Sequence, residues 1–558
     1  MKILILGGYG TFGGRLVSLL ADEPSLTLMV GGRSLPKAVA LCNKIRGPAQ
    51  KQAVIFDRSE NVEQQLQHLM PDVVVDASGP FQDYGDDPYR VIKACLALKL
   101  HYLDLADSSK FVEGVSQFDA AARDNNIVVL SGVSSFPVLT VAVCRQLALE
   151  LTEVTRISAG IAPSAFAGVG LNVIRAITSY AGKPLQLVRH GVVTKTYALT
   201  ETRHYVIAPP GKVPLNPTLF SLVDVPDLHV VPQQWPRLDA IWIGAGPVPR
   251  IWHYALIGLS WLVRIRLLPT LAPLAPLCHQ VINKFSWGEH RGGMFVAVQG
   301  LDASGEYREN SWHMLAEGDD GPLIPSMAAA AVIRRMLNDQ SPAPGARTAI
   351  NDIELADYET QFARRRIVTG RRSDTGLQSD APLYQRLLGD AWHKLPVQIR
   401  EMHTLNGSKI VSGLADIERG TGFLAQRVAN LFGFPAAGKE VPLSVNFSER
   451  RGQEHWLRYF GRRKMKSIQY EGKGNSRWLL NERFGLVTFG IALVVEGNKL
   501  KLVIRRWSVL GLPLPLILAP RTRTFEYVAN DCFNFDVEVS HPLLGLIVHY
   551  KGFLKEQA

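Results

Sequence analysis

The chain carries Gly8-Tyr9-Gly10-Thr11-Phe12-Gly13, a G-x-G-x-x-G run. It follows the apolar stretch Ile3–Leu6 and opens Phe12–Ala21, which has helical spacing, so a strand-turn-helix is predicted. Such a turn presents free N–H groups at a helix N-terminus, and these suit the pyrophosphate of a dinucleotide. Gly8 allows the tight turn, Gly10 lets the phosphates approach the backbone, and Gly13 lets helix and strand pack closely. The end of the second apolar run selects the dinucleotide. An acid there would accept from a ribose 2′-hydroxyl. This chain has Gly31-Gly32-Arg33-Ser34 instead. Arg33 offers a charged fork for a 2′-phosphate and Ser34 a further hydrogen bond, so NADP(H) is expected over NAD(H). Asp57 reads equally as a neighbour of the adenine and as a helix N-cap. Ser78, Gly79 and Pro80 end the fourth apolar run and are expected to border the nicotinamide, because ligands of open parallel sheets lie outside the strand C-termini.

Reduction of a carbonyl or imine also needs a proton donor. The candidates near the strand ends are Tyr84, Tyr102, Asp104 and Ser135. Asp104 lies in an apolar strand context, where burial raises a carboxyl pKa and suits acid-base work. The competing reading, a hydrogen-bonding residue that orients a loop, is preferred for it. Tyr102 reads more readily as a core aromatic. No Tyr-x-x-x-Lys pair stands where short-chain dehydrogenases carry one. Five scattered cysteines, with no C-x-x-C pair, predict neither a metal site nor a redox dithiol.

These groups need a scaffold. Apolar runs at Ile3–Leu6, Leu26–Val30, Val54–Phe56, Val73–Asp76, Tyr102–Leu105 and Ile127–Leu130 alternate with helical stretches. That alternation predicts an α/β fold, a Rossmann-type doubly wound parallel sheet, over residues 1–137. From residue 138 to 370 the pattern predicts an α+β domain, closed by a helix over Asp352–Ala363. Residues 371–380 are polar and read as a linker. Residues 381–558 carry short alternating runs, among them Gly485–Glu496, Leu500–Trp507 and Phe533–Val539. They predict a mainly antiparallel β domain or partial barrel with flanking helices.

Composition narrows the functional classes. With 47% hydrophobic and 20% charged residues the chain is an ordinary globular one. The net charge of +11 suits phosphates or an anionic surface, yet no basic-aromatic interleaving marks a nucleic-acid reader. The basic cluster Arg364, Arg365, Arg366, Arg371, Arg372 reads as a solvated helix end and linker. Ile251–Ile282 is apolar but broken by Arg264, Arg266 and prolines, so no span is expected. Ordinary burial or an oligomer interface is preferred for it over peripheral contact with a membrane surface. The scattered odd cysteine count fits a reducing cytoplasm.

Several pieces together resemble the saccharopine dehydrogenase-like oxidoreductases. They are the glycine run, Gly32-Arg33, Ser78-Gly79-Pro80-Phe81 with Tyr84-Gly85, Ala94-Cys95 and His101-Tyr102-Leu103-Asp104-Leu105. Further on, Arg291-Gly292-Gly293-Met294-Phe295-Val296 and Gly318-Asp319-Asp320-Gly321-Pro322 match as well. The resemblance covers about residues 1–370 and implies NADP(H) chemistry, a second domain for substrate and dimer contacts, and a homodimer. It does not imply saccharopine itself. One loop departs: many relatives place an aspartate where this chain has Gly132-Val133-Ser134-Ser135-Phe136-Pro137. Beyond about residue 380, Leu383-Tyr384, Trp456-x-Arg458-x-Phe460, Gly511-Leu512-Pro513-Leu514-Pro515 and His541-Pro542-Leu543-Leu544-Gly545 resemble a bacterial domain of unknown function. Its polar residues His403, Arg419, Arg458, Glu482, Glu526 and His541 read first as scattered structural groups, second as one end of a pocket for an acyl or acidic ligand. The expected function is reduction of an imine, carbonyl or enoyl group on an apolar substrate. The alternative is a scaffold without turnover, or a lipid- or acyl-binding protein.

Overall fold

The computed structural model describes residues 1–247, 249–374, 381–405 and 407–556. The chain divides into two compact units. The first is Met1–Arg203 with Leu219–Val368, and the second is His204–Thr218 with the chain from Thr369 onward.

The first unit opens with six strands: β1 (Lys2–Leu6), β2 (Thr27–Gly32), β3 (Gln50–Ile55), β4 (Val73–Asp76), β5 (His101–Asp104) and β6 (Val128–Ser131). All pair in parallel, in the spatial order β6-β5-β4-β1-β2-β3. The doubly wound sheet expected from the sequence is therefore present. Its strands read as near-continuous Ile, Leu and Val because helices cover both faces; Ile3, Leu4 and Ile5 have no exposed surface. A seventh strand, Gly345–Thr348, adds in parallel to β6 from far along the sequence.

The rest of this unit contains a mixed sheet. Glu153–Ala162 runs parallel to Ala240–Ala245 and antiparallel to Gly292–Leu301, which pairs with Tyr307–Ala316. Leu355–Phe362 forms the expected closing helix, with a capping box between Glu354 and Asp357. The apolar stretch after residue 250 becomes two helices, Arg250–Arg264 and Ala275–Lys284. The first turns His253 and Ser260 inward and leaves Ile251, Tyr254 and Trp261 exposed. Among the described residues no helix is long and apolar enough to cross a membrane.

The second unit is a closed barrel of ten antiparallel strands. They are β7 (Ser408–Arg419), β8 (Gly438–Arg450), β9 (Gln453–Phe460), β10 (Arg463–Glu471), β11 (Leu480–Phe484), β12 (Val487–Glu496), β13 (Lys499–Val509), β14 (Arg521–Ala529), β15 (Cys532–His541) and β16 (Gly545–Glu556). Each pairs with its sequence neighbour, and β7 with β16 completes the ring. Closure removes every sheet edge. Alternate side chains point inward, as Leu443, Val445 and Phe447 do on β8.

Two expectations change here. Arg371–Asp374 is not irregular linker but the end of the strand Ile367–Asp374; Thr375–Asp380 lies outside the described residues. Arg372 is not solvated either. Its side chain is buried, donates to Ala208 O at 2.7 Å and Leu387 O at 2.9 Å, and lies 4.4 Å from the Trp478 ring centre. Burial lowers its pKa to about 9. The second unit also takes in His204–Thr218, which the sequence pattern assigned to the preceding domain. Val206 and Ala208 pack on Trp478, and Val495 N donates to Gly211 O at 2.9 Å, so this excursion completes the second unit's core.

Candidate functional site

A crevice of about 810 Å³ lies outside the C-terminal ends of β1, β2, β3 and β4, within the size range of small-molecule sites. The glycine run forms its floor. The helix α1 (Thr11–Leu20) starts at Gly10, with no side-chain cap and no acidic residue in its first turn. Its open N–H groups fit a pyrophosphate. A Cβ on Gly13 would sit 2.3 Å from Gly7 O and 2.8 Å from Gly8 Cα, so this glycine holds helix and strand at contact distance. Gly7, just ahead of the motif, has φ +68° and would place a Cβ 2.7 Å from Ser78 Cα. The sequence reading missed its part in the turn.

Tyr9, Gly10, Thr11, Phe12, Arg33, Asp57, Ser78, Gly79, Pro80 and Tyr84 all line this one crevice. Gly8, Gly13 and Ser34, also expected at the cofactor, are not among the lining residues. Tyr9 ties the motif to the selectivity loop: its ring lies where a Gly32 side chain would be, and its hydroxyl accepts from Ser34 N at 3.0 Å. Arg33 is exposed at the mouth. Asp57 accepts from Ser59 N and Ser59 Oγ at 2.9 and 2.6 Å. Those bonds, aided weakly by the Arg33 charge, hold it below the usual carboxylate range.

At the end of β4 the structure shows a network that the sequence did not announce. Buried Asp76 accepts from Ser78 N at 3.0 Å, Ser78 Oγ at 2.5 Å and Tyr84 Oη at 3.2 Å. Arg58 lies 3.1 Å over the Tyr84 ring and 3.8 Å from Asp76. Burial, reinforced by the Asp76 charge, raises Tyr84 well above the usual phenol value, so it remains a neutral hydroxyl. Asn172, from the helix Leu171–Tyr180, donates to Gly79 O at 2.9 Å and fixes this wall from the opposite side.

Of the four proton-donor candidates, only Tyr84 reaches the crevice wall. Tyr102 is a core aromatic with 1% exposure. Ser135 is buried beside its neighbour Ser134, which does line the crevice. Asp104 has no exposed surface. Its Oδ1 accepts from Gly132 N at 2.8 Å, Ala106 N at 3.0 Å and Ser131 Oγ at 3.0 Å, while Oδ2 has no partner. Burial pushes its pKa up to about 7 against the pull of those three bonds. It is placed to hold the loop after β6. Asp107, three residues further on, does line the crevice and is open to it. It accepts from Gln82 Nε2 at 3.2 Å. Crowding by the surrounding protein raises it above the usual carboxylate range against the pull of that bond, and the Asp224 charge adds to this, but water reaches the exposed side chain and screens part of the effect. Its only sequence signal was position: an acid just past a parallel strand's C-terminal end.

The barrel encloses a second cavity, of about 380 Å³. Of the polar residues named in this region, Arg458, Glu482, Glu526 and His541 line it, and His403 reaches it through Glu526 at 2.6 Å. Arg419 does not; it donates to Asn430 Oδ1 and Gln426 O outside.

Residues 3–130 match the saccharopine dehydrogenase NADP binding domain. The resemblance seen in the glycine run, Gly32-Arg33 and the β5 segment is borne out over these residues. Residues 395–554 match a domain of unknown function, DUF4166. A comparison with curated proteins gives no match. Among solved structures the chain is similar to apo histidine-tagged saccharopine dehydrogenase (L-Glu forming) from Saccharomyces cerevisiae. Identity is 13% over 67% of this chain and 99% of that one, with a TM-score of 0.48. A dehydrogenase (MviM) from Clostridium difficile is 10% identical over 65% of this chain and 98% of its own, with a TM-score of 0.29. The domain match supports an NAD(P)-dependent oxidoreductase with a nicotinamide dinucleotide cofactor.

Proposed function

We propose that the first unit is an NADP(H)-dependent reductase of an imine, carbonyl or enoyl group on an apolar substrate. The observation that carries the cofactor choice is Arg33, exposed at the crevice end of β2 where a ribose-binding acid would stand. The first turn of α1 is free to take the pyrophosphate, and Asn172 steadies the wall beside the nicotinamide. Bound cofactor supplies the hydride. The reduced group then needs one proton, and Asp107 is the carboxyl on the crevice wall with a raised pKa. Tyr84 keeps its hydroxyl proton on Asp76 and meets the crevice as an aromatic wall. Leu105, Leu171 and Val173 line the same space and suit an apolar substrate.

The test is calorimetric titration of NADPH and NADH into the wild type and Arg33→Ala. One charged hydrogen-bonding partner contributes on the order of 1.5–3 kcal/mol, so the variant should lose roughly ten- to a hundred-fold in NADPH affinity and none for NADH. Equal affinities of the wild type for both cofactors would refute NADP(H) selectivity.

A further inference from the structure

The two ends of the barrel are made of opposite materials. Up-and-down connectivity puts the β7–β8, β9–β10, β11–β12, β13–β14 and β15–β16 connections at one end and the others at the opposite end. At the opposite end the connections include Arg451-Gly452, Gly497-Asn498 and Asn530-Asp531, and the large apolar residues there, Trp478 and Leu479, are buried. At the first end the β13–β14 connection reads Leu-Gly-Leu-Pro-Leu-Pro-Leu-Ile-Leu-Ala-Pro over residues 510–520, without a charge. Its Leu512 and Ile517 are 70% and 84% exposed, and Leu543 of the β15–β16 turn is 86% exposed. Leu431, on the helix that links β7 to β8, is 83% exposed. An apolar surface of this kind marks an interaction site.

Charge indicates what it meets. None of the five connections at this end contains a carboxylate, while Arg427, Arg462, Arg463 and Arg521 stand exposed in or beside them. Leucines ringed by arginines match an interface with anionic lipid headgroups, where each cation adds attraction and the apolar side chains enter the acyl boundary. The barrel wall is not itself lipid-facing. Its inward side is mostly apolar, with one polar cluster, and Ser444, Asn446, Lys464 and Lys466 point outward, the reverse of a membrane-embedded barrel. Contact is therefore end-on.

The cavity opens toward this same end. Leu518 lines it and is 52% exposed, and Phe432 and Leu544 line it beside Leu518. Buried Tyr384 and Met402 close the other end. Inside, Arg458 already donates to Ser467 Oγ at 2.8 Å and to Glu482 at 3.2 Å, and Glu526 is held by His403. The arginine charge is matched, so a carboxylate headgroup would enter uncompensated. A neutral head with hydrogen-bonding capacity fits.

We propose that this end of the barrel docks on an anionic lipid bilayer and that the cavity takes one neutral lipid chain from it. The experiment is flotation of the full chain with phosphatidylcholine vesicles, with and without phosphatidylglycerol. Wild type should float with the anionic vesicles and much less with the neutral ones. The triple variant Leu512→Ser, Ile517→Ser, Leu543→Ser changes only exposed side chains. It should keep its melting temperature and lose on the order of a hundred-fold in partitioning. Ile251→Ser with Leu267→Ser, on the other exposed apolar stretch, should float like wild type. Absence of flotation, equal flotation of the triple variant, or a change in its assembly size without a change in flotation would overturn the docking site; the last would assign the patch to a protein partner. Wild type floated with a pyrene-labelled long-chain alcohol and re-isolated should retain it in preference to the matching carboxylic acid. Preference for the acid would overturn the assignment of the cavity.

Discussion

Asp104→Asn probes a buried carboxyl that holds a loop and its own proton. Asp104 is fully buried and its folded pKa stands at about 7, against an unfolded value of about 3.9. Between those values the folded chain holds a proton that the unfolded chain has released. The contribution of Asp104 to stability is therefore full below about pH 4, falls as pH rises, and levels off above about pH 7, losing about 1.4 kcal/mol per pH unit and about 4 kcal/mol in all. Asparagine has nearly the same shape. Its Oδ1 can still accept from Gly132 N and Ala106 N, but its Nδ2 replaces the partnerless Oδ2 and stays unsatisfied, at about 1–3 kcal/mol independent of pH. The two effects are read apart by urea unfolding at pH 5 and pH 8, following the transition that NADPH shifts. Wild type should be less stable at pH 8, and the substitution should shrink the difference by about 3 kcal/mol. Asp227, also buried and pushed up to about 7, contributes its own slope to both proteins and cancels in the comparison. An unchanged difference between the two pH values would refute a buried, proton-holding Asp104. Because Asp104 does not reach the crevice, a fall in kcat at unchanged NADPH affinity would report displacement of the loop it holds, and retained turnover would show that the other bonds to that loop suffice.

Gly13→Ala forces a Cβ against Gly7 O and Gly8 Cα; thermal melts should show a loss of about 1–3 kcal/mol, and NADPH titration a weaker site. Asp107→Asn should cost on the order of a hundred-fold or more in kcat with NADPH affinity intact. In the wild type kcat should fall as pH rises through a value above the ordinary carboxylate range, because the protonated form donates. Arg372→Met removes the donors to Ala208 O and Leu387 O while keeping bulk, and chemical denaturation should show a loss of about 1–3 kcal/mol in the second unit. Residues 1–375 expressed alone should still bind NADPH but lose solubility, because Val206 and Ala208 then lack Trp478.

The sequence made the cofactor crevice legible because backbone builds it. Glycines at fixed offsets, an apolar run before them and helical spacing after them are local features, and they led to Gly10, Gly13 and Arg33 directly. The side-chain chemistry was less legible. Asp76 ends β4, Tyr84 lies in the connection after it, and Arg58 comes from the loop after β3; nothing local to Arg58 says that it will lie over the Tyr84 ring. The barrel was half visible. β12 carries the longer apolar run, whereas β8 and β10 alternate single apolar residues with polar ones, a weaker signal until closure gives those residues a common interior. Arg372 misled for a related reason: a basic, polar stretch reads as solvated unless its long stem and donors find an enclosed partner.

The missing aspartate in Gly132–Pro137 bears on whether this chain turns over at all. A proton donor must lie within reach of the acceptor atom; its place in the sequence is irrelevant. Two strand-end loops border this part of the crevice, one after β6 and one after β5. The first contributes Ser134, and the second contributes Asp107. The surroundings of Asp107 and the Asp224 charge push its pKa upward, the direction a proton donor needs. Ser134 and Asp107 line the same crevice from these two loops, so an acid on either loop faces the same space. Loss of the aspartate therefore does not by itself favour a silent scaffold, and the intact first turn of α1 with Arg33 beside it favours an enzyme. Asp107→Asn decides between them: if an oxidation of NADPH that depends on substrate survives that change and Tyr84→Phe alike, the proton comes from elsewhere and this reading of the crevice fails.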